Sequence, residues 1–146
     1  MLDLVFRNLT GDTTFPESFF KKLFACALEE LAWSDQDIEV SVSLVSNEEI
    51  RKLNKKHRNK DSVTDVLSFP MGEQITPSPI NLGDVFICPK RVGEDAQQQN
   101  IAEDKRMAWA AIHGFLHLAG YDHEVSETEA KKMSELEQKV LAKCGF

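Results

Sequence analysis

Cysteine is scarce in this chain of 146 residues, and its three copies, Cys26, Cys88 and Cys144, are odd in number and far apart. No C-x-x-C pair occurs, so neither a zinc ribbon nor a disulfide framework is expected. Cys26 and Cys88 lie in apolar segments and read as small buried side chains. Such usage points to a reducing compartment, hence the cytoplasm. A transmembrane helix needs about 18 or more consecutive apolar residues, and no such run is present. The first residues, Met1-Leu2-Asp3-Leu4-Val5-Phe6-Arg7, have neither the basic region nor the long apolar stretch of a signal peptide. Internal repeats and linkers are also missing. With 42% apolar and 28% charged residues, the composition is that of one globular domain long enough to bury a core.

Excess positive charge is absent too. The formal net charge is −7, which argues against broad nucleic-acid binding. The distribution qualifies that conclusion. Six Lys/Arg and no acid fall in residues 51–60, leaving 11 cations against 24 acids, net −13, elsewhere. An acidic body with one basic segment suggests a local anion site. A solvated helix end, its cations set against the C-terminal dipole, is the competing reading.

Apolar alternation predicts strands at 2–7 and 38–44, with a helix from Pro16 to about residue 32 between them. A helical crossover implies parallel pairing. Ser46 with Glu49 reads as a capping box opening a short helix over 47–56. Strands at 64–69 and 82–87 are each stopped by a proline, and a long loop from Met71 to Asn81 joins them. Joined without a helix, they are expected to pair antiparallel, which makes the sheet mixed. Residues 90–102 are only weakly helical in pattern. A strong helix, apolar over much of its circumference, runs from Glu103 to Ala119, and a last one, capped by Ser126 and Glu129, runs to about Lys143. The expected fold is α+β: a four-stranded mixed sheet packed with four to five helices around a central, metal-bearing helix.

Three of the four histidines fall in the run His113-Gly114-Phe115-Leu116-His117-Leu118-Ala119-Gly120-Tyr121-Asp122-His123. On a helix, His113 and His117 share one face, one turn apart. Gly120 suits the left-handed residue that ends a helix, so the chain can turn and bring His123 toward the pair. Three neutral imidazoles facing one point, with a fourth position open, are the arrangement of a catalytic zinc site. The spacing overlays that of metzincin peptidases, H-E-x-x-H-x-x-G-x-x-H, except that Gly114 stands where the general base would be. Room for a substrate beside the metal would explain a missing side chain there.

The run reads H-G-x-L-H-L-x-G-Y-D-H. Upstream stand Leu53-Asn54, then Arg58, then Thr64-Asp65-Val66-Leu67-Ser68-Phe69-Pro70, then Leu82-Gly83-Asp84. Together these motifs resemble the YbeY family of bacterial ribosomal RNA maturation factors over about residues 38–125. The resemblance implies a zinc-dependent, single-strand-specific endoribonuclease acting in small-subunit ribosomal RNA maturation and ribosome quality control. It implies one Zn2+ held by His113, His117 and His123, and a functional arginine at Arg58. Catalysis is then expected to rest on Arg58 and His113. The implied partners are single-stranded ribosomal RNA and the ribosome or ribosome-associated proteins, with no membrane; the oligomeric state is left open.

Arg58 would clamp a phosphate and oppose charge in the transition state. Water and the ribose 2′-OH both remain open as attackers. Asp122 reads as an orienting or turn-capping group, His57 as a surface residue, and Asp65 and Asp84 as local backbone acceptors. Tyr121 could stack a base or pack the turn. Two other functions stay open: a metallopeptidase, from the shared histidine spacing, and a non-catalytic assembly factor with a structural zinc.

Overall fold

A computed structural model describes residues 1–146. The elements run β1 (Leu2–Asn8), α1 (Glu17–Glu30), β2 (Ile38–Leu44), α2 (Asn47–Arg58), β3 (Val66–Pro70), β4 (Ile80–Ile87), α3 (Pro89–Gln99), α4 (Glu103–Leu118) and α5 (Glu127–Lys143). The four strands form one sheet in the order β1-β2-β4-β3. β1 and β2 pair parallel across the α1 crossover, β2 and β4 pair parallel, and β3 and β4 pair antiparallel. The mixed α+β architecture expected from the patterns is the one observed.

Local chemistry sets the element ends. The Ser46 and Ser126 side chains accept from the Glu49 and Glu129 amides at 3.2 and 3.1 Å, closing the two capping boxes. α2 runs to Arg58, past the expected end, because Asn59 takes the left-handed conformation (φ 56°) that stops it. α3 forms a full helix despite its polar pattern. Pro89 occupies its first turn, and Val92 and Ala96 are buried.

The larger apolar cluster joins Phe20 and Phe24 of α1, Val40 and Val42 of β2, Val85 of β4, Ile112 and Phe115 of α4, and Met133 and Val140 of α5. A smaller cluster packs Ile50 and Leu53 of α2 against Leu67, Phe69 and Phe86 of the sheet. Alternation along β3 therefore sends Leu67 and Phe69 toward α2, and Val66 and Ser68 toward α4. The two helices lie on opposite faces of the sheet, with β3 at the edge between them.

Two expectations are corrected. Cys26 and Cys144 pair as a disulfide, Cα atoms 6.1 Å apart, tying α1 to the end of α5, while Cys88 alone is free and buried. The partners stand 118 positions apart in sequence, so spacing carried no sign of the pair, and the cysteines do not point to a reducing compartment. Gly114 is also differently employed. A Cβ there would stand 2.7 Å from Val85 Cγ1, 3.1 Å from Ser68 Oγ and 3.2 Å from Val66 Cγ2. The missing side chain lets α4 seat against the sheet rather than opening room at the metal. The Ser68 hydroxyl, donating to the Gly114 carbonyl at 3.0 Å, closes the same contact.

Candidate metal centre and active-site cleft

α4 presents His113 and His117 on one face, as their spacing requires. Past its end the chain makes a double return: the Gly120 amide donates to the His117 carbonyl at 3.1 Å and the Tyr121 amide to the Leu116 carbonyl at 3.0 Å. This pair of bonds is the Schellman closure, and Gly120 takes the positive φ (105°) it needs. Asp122 then accepts from the Glu124 amide at 2.9 Å, which fixes the turn carrying His123. Tyr121 packs against the core, so its part is in the turn.

The result is a convergent triad. One ring nitrogen from each of His113, His117 and His123 lies within 4.8 Å of the others. His117 Nε2 and His123 Nδ1 approach to 3.1 Å. Burial, then the neighbouring His113 and His123, push the His117 pKa below the ordinary histidine value. Three imidazoles converging in this way can offer lone pairs to a cation, and the grouping contains three donors and no fourth. The donor set fits a metal ion with an open coordination position.

His113 is the most firmly held of the three. Its Nδ1 faces the Glu137 carboxylate of α5 at 3.4 Å, which leaves Nε2 for a metal. Glu137 is 5% exposed. Trp109, one turn earlier, stacks on the His113 ring at 4.6 Å between centroids. The Arg106 guanidinium lies 4.1 Å from the Trp109 ring centre. Arg106 is itself held by Asp65 at 2.6 Å and Asp95 at 3.5 Å. None of Glu137, Trp109 and Arg106 stood out in the sequence. The recurrence 106, 109, 113, 117 on one helix face was the available signal for two of them.

A cleft of about 430 Å³ runs over these groups. Arg58, at the end of α2, lines it together with His113, His117 and His123, with Thr64 to Ser68 as its floor. Arg58 pairs with Glu124 at 3.4 Å, both side chains well exposed. Asp65 reaches the cleft, but its carboxylate is engaged by Arg106 and by the Val66 amide at 2.8 Å. Asp84 lies outside it and accepts from the Ser41 hydroxyl at 2.7 Å. His57 is exposed and packs on Phe69, outside the cleft lining.

A family model described as Endoribonuclease YbeY matches residues 6–145. The chain belongs to the YbeY family. Among curated proteins, Endoribonuclease YbeY of Finegoldia magna is 41% identical over 126 residues, covering 86% of this chain and 80% of that protein. The Dichelobacter nodosus protein of the same name is 37% identical over 147 residues, covering 100% and 94%. Among solved structures, the solution structure of TM1509 from Thermotoga maritima superposes with a TM-score of 0.68 at 33% identity, covering 97% of this chain and 88% of that one. The YbeY fold thus extends over nearly the whole chain, and the histidine run lies within the matched span.

Proposed function

We propose that the domain formed by residues 1–146 is a metal-dependent endoribonuclease that cuts single-stranded RNA in the cleft between α2 and α4. One observation carries the reading: an arginine and three converging histidines, from opposite faces of the sheet, line one cleft. The curated relatives are named endoribonucleases, and the cleft chemistry suits a phosphodiester. We take the ion to be zinc, the substrate to be small-subunit ribosomal RNA, and the setting to be ribosome maturation and quality control in the cytoplasm. That placement rests on the substrate, not on the cysteines.

His113, His117 and His123 would hold the ion, and Glu137 would fix the His113 ring for it. When bound, zinc supplies Lewis acidity toward a phosphoryl oxygen. Arg58 holds the phosphate by two parallel N–H bonds and opposes charge growing on its oxygens. Of the six cations in residues 51–60, Arg58 lines the cleft, while Arg51, Lys52 and Lys55 pair with Asp61 and Glu48. The electrostatic contact with RNA is therefore short, and it weakens as salt rises. No helix is long and apolar enough to cross a membrane, and ribosomes or ribosome-associated proteins are the partners this reading needs for delivery.

The test is metal analysis of the purified protein, paired with cleavage of an unstructured RNA by wild type, Arg58→Ala and His113→Ala. Wild type should carry about one zinc per chain and cut RNA. His113→Ala should lose both properties, and Arg58→Ala only the cutting. Equal cleavage by all three would betray a contaminating nuclease and end the proposal. Digestion of casein, with RNA untouched, would instead establish the peptidase.

A further inference from the structure

The floor of the cleft is a sheet edge. β3 pairs with β4 on one side and has no strand on the other. The Cys88 amide donates to the Asp65 carbonyl at 2.9 Å and the Met71 amide donates to the Leu82 carbonyl at 3.1 Å. With the register Leu67↔Phe86 and Phe69↔Asp84, these bonds fix the alternation of an antiparallel ladder. Residues 65, 67, 69 and 71 turn their main-chain groups toward β4. Val66, Ser68 and Pro70 turn theirs away, and all three line the cleft. Pro70 has no N–H, and the Val66 N–H is taken by the Asp65 carboxylate. Ser68 therefore offers an N–H and a C=O side by side, flanked by the Val66 and Pro70 carbonyls at about 6.8 Å repeat. None of these groups has a partner within the protein.

We propose that the outward main-chain edge of β3, centred on the Ser68 N–H and C=O, binds the unpaired bases of the RNA strand in the cleft and selects single strands. This inference rests on the endoribonuclease reading above. An unpaired base carries adjacent donor and acceptor atoms on its Watson–Crick edge, a match for one residue's N–H and C=O. In a duplex those atoms are already bonded to the other strand, and the edge of β3 finds nothing to pair with. Arg58 lies on one side of the edge and the histidines that would hold the ion on the other, so the phosphate of the same strand falls between them. Selection then comes from hydrogen bonds. Ser68's own hydroxyl is committed to Gly114, so the main chain does the reading.

Proline is tolerated on a strand edge where the N–H faces outward. Ser68→Pro deletes that N–H without removing a bond to β4. Ser68→Ala loses the same hydroxyl and serves as its reference. KM and kcat are to be measured on an unstructured oligoribonucleotide and on a hairpin stem. Relative to Ser68→Ala, Ser68→Pro should raise KM for the unstructured RNA roughly five- to tenfold, the value of about one hydrogen bond. Its kcat should change little, and its preference over the stem should narrow. Equal KM in the two variants overturns the proposal. If Ser68→Pro does not fold, the wild-type protein still decides. Its Ser68 amide should shift in the nuclear magnetic resonance spectrum, and resist hydrogen exchange, when the unstructured RNA is added; an unmoved amide overturns the proposal. Wild type that neither binds nor cuts RNA would instead defeat the parent reading.

Discussion

The two walls of the cleft are built to different standards. On the α4 wall, His113 is bracketed by Glu137 and Trp109, Trp109 by Arg106, and Arg106 by Asp65 and Asp95. Every one of these residues is buried or half-buried. On the α2 wall, Arg58 is 42% exposed and held by one 3.4 Å contact to a glutamate that is 62% exposed. A metal site needs nitrogens fixed to within fractions of an ångström, which only a packed surround provides. A phosphate clamp, the role proposed for Arg58, must admit and release a polymer, and a long side chain at a helix end is suited to that. The difference teaches where each kind of damage should appear: on the α4 wall in metal affinity and stability, on the α2 wall in turnover alone.

The largest separation is expected from Arg58→Ala. Loss of one donor that stabilises transition-state charge costs about 10²–10³ in kcat. Zinc content and thermal stability should match wild type, since no core contact is lost. Arg58→Lys should recover little, because an ammonium cannot make the two parallel bonds. Loss of zinc in either variant would erase the contrast between the walls.

Glu137→Ala probes the other wall. Removing an outer partner of a metal-bound histidine typically lowers metal affinity about 10- to 100-fold. Competition with a chelator would read that loss directly, and Glu137→Gln, which keeps an acceptor for Nδ1, should restore part of it. If Glu137→Ala lowers stability but leaves metal affinity unchanged, the carboxylate is a packing group and the bracket around His113 is not what holds the site.

These residues also mark how far the sequence could be read. Strand alternation, the α1 crossover and both capping boxes depend on neighbours within a few residues, and they were legible. So was the triad, since helix spacing and one glycine turn bring its three members together. Glu137 was not. It sits 24 residues from His113 beside Leu136 on an amphipathic helix, where a charge ordinarily means a solvated face. Only the packing of α5 on α4 turns it inward. The Cys26–Cys144 pair was hidden for the same reason. Gly114 was noticed but misassigned, because a glycine's spacing does not say which neighbour fills its place.

Gly114→Ala measures how tightly the α4 wall is seated. Alanine would gain about 0.5–1 kcal/mol of helix propensity. Against that, its Cβ meets Val85 Cγ1 at 2.7 Å, a fully buried side chain on an inner strand of the sheet. Overpacking of this kind costs about 1–3 kcal/mol, so steric crowding wins and the net loss should reach up to about 2.5 kcal/mol, centred near about 1, in denaturant unfolding. Increased stability would mean that α4 can slide on β3 and β4, and the rigid-wall description would fail.

The smallest effect is expected at Glu124, and it is the one with a change of sign. Its carboxylate occupies the Arg58 guanidinium, the group that the RNA phosphate is to engage. Pairs this exposed contribute at most about 1 kcal/mol after solvent screening, so Glu124→Gln should change stability little. By freeing Arg58 and removing a negative charge from the cleft mouth, it should tighten binding of unstructured RNA about two- to threefold at low salt. The gain should shrink as salt rises, because the removed charge acts through solvent. Weaker binding would show that Glu124 holds Arg58 in its working position, and the α2 wall would then be as organised as the α4 wall.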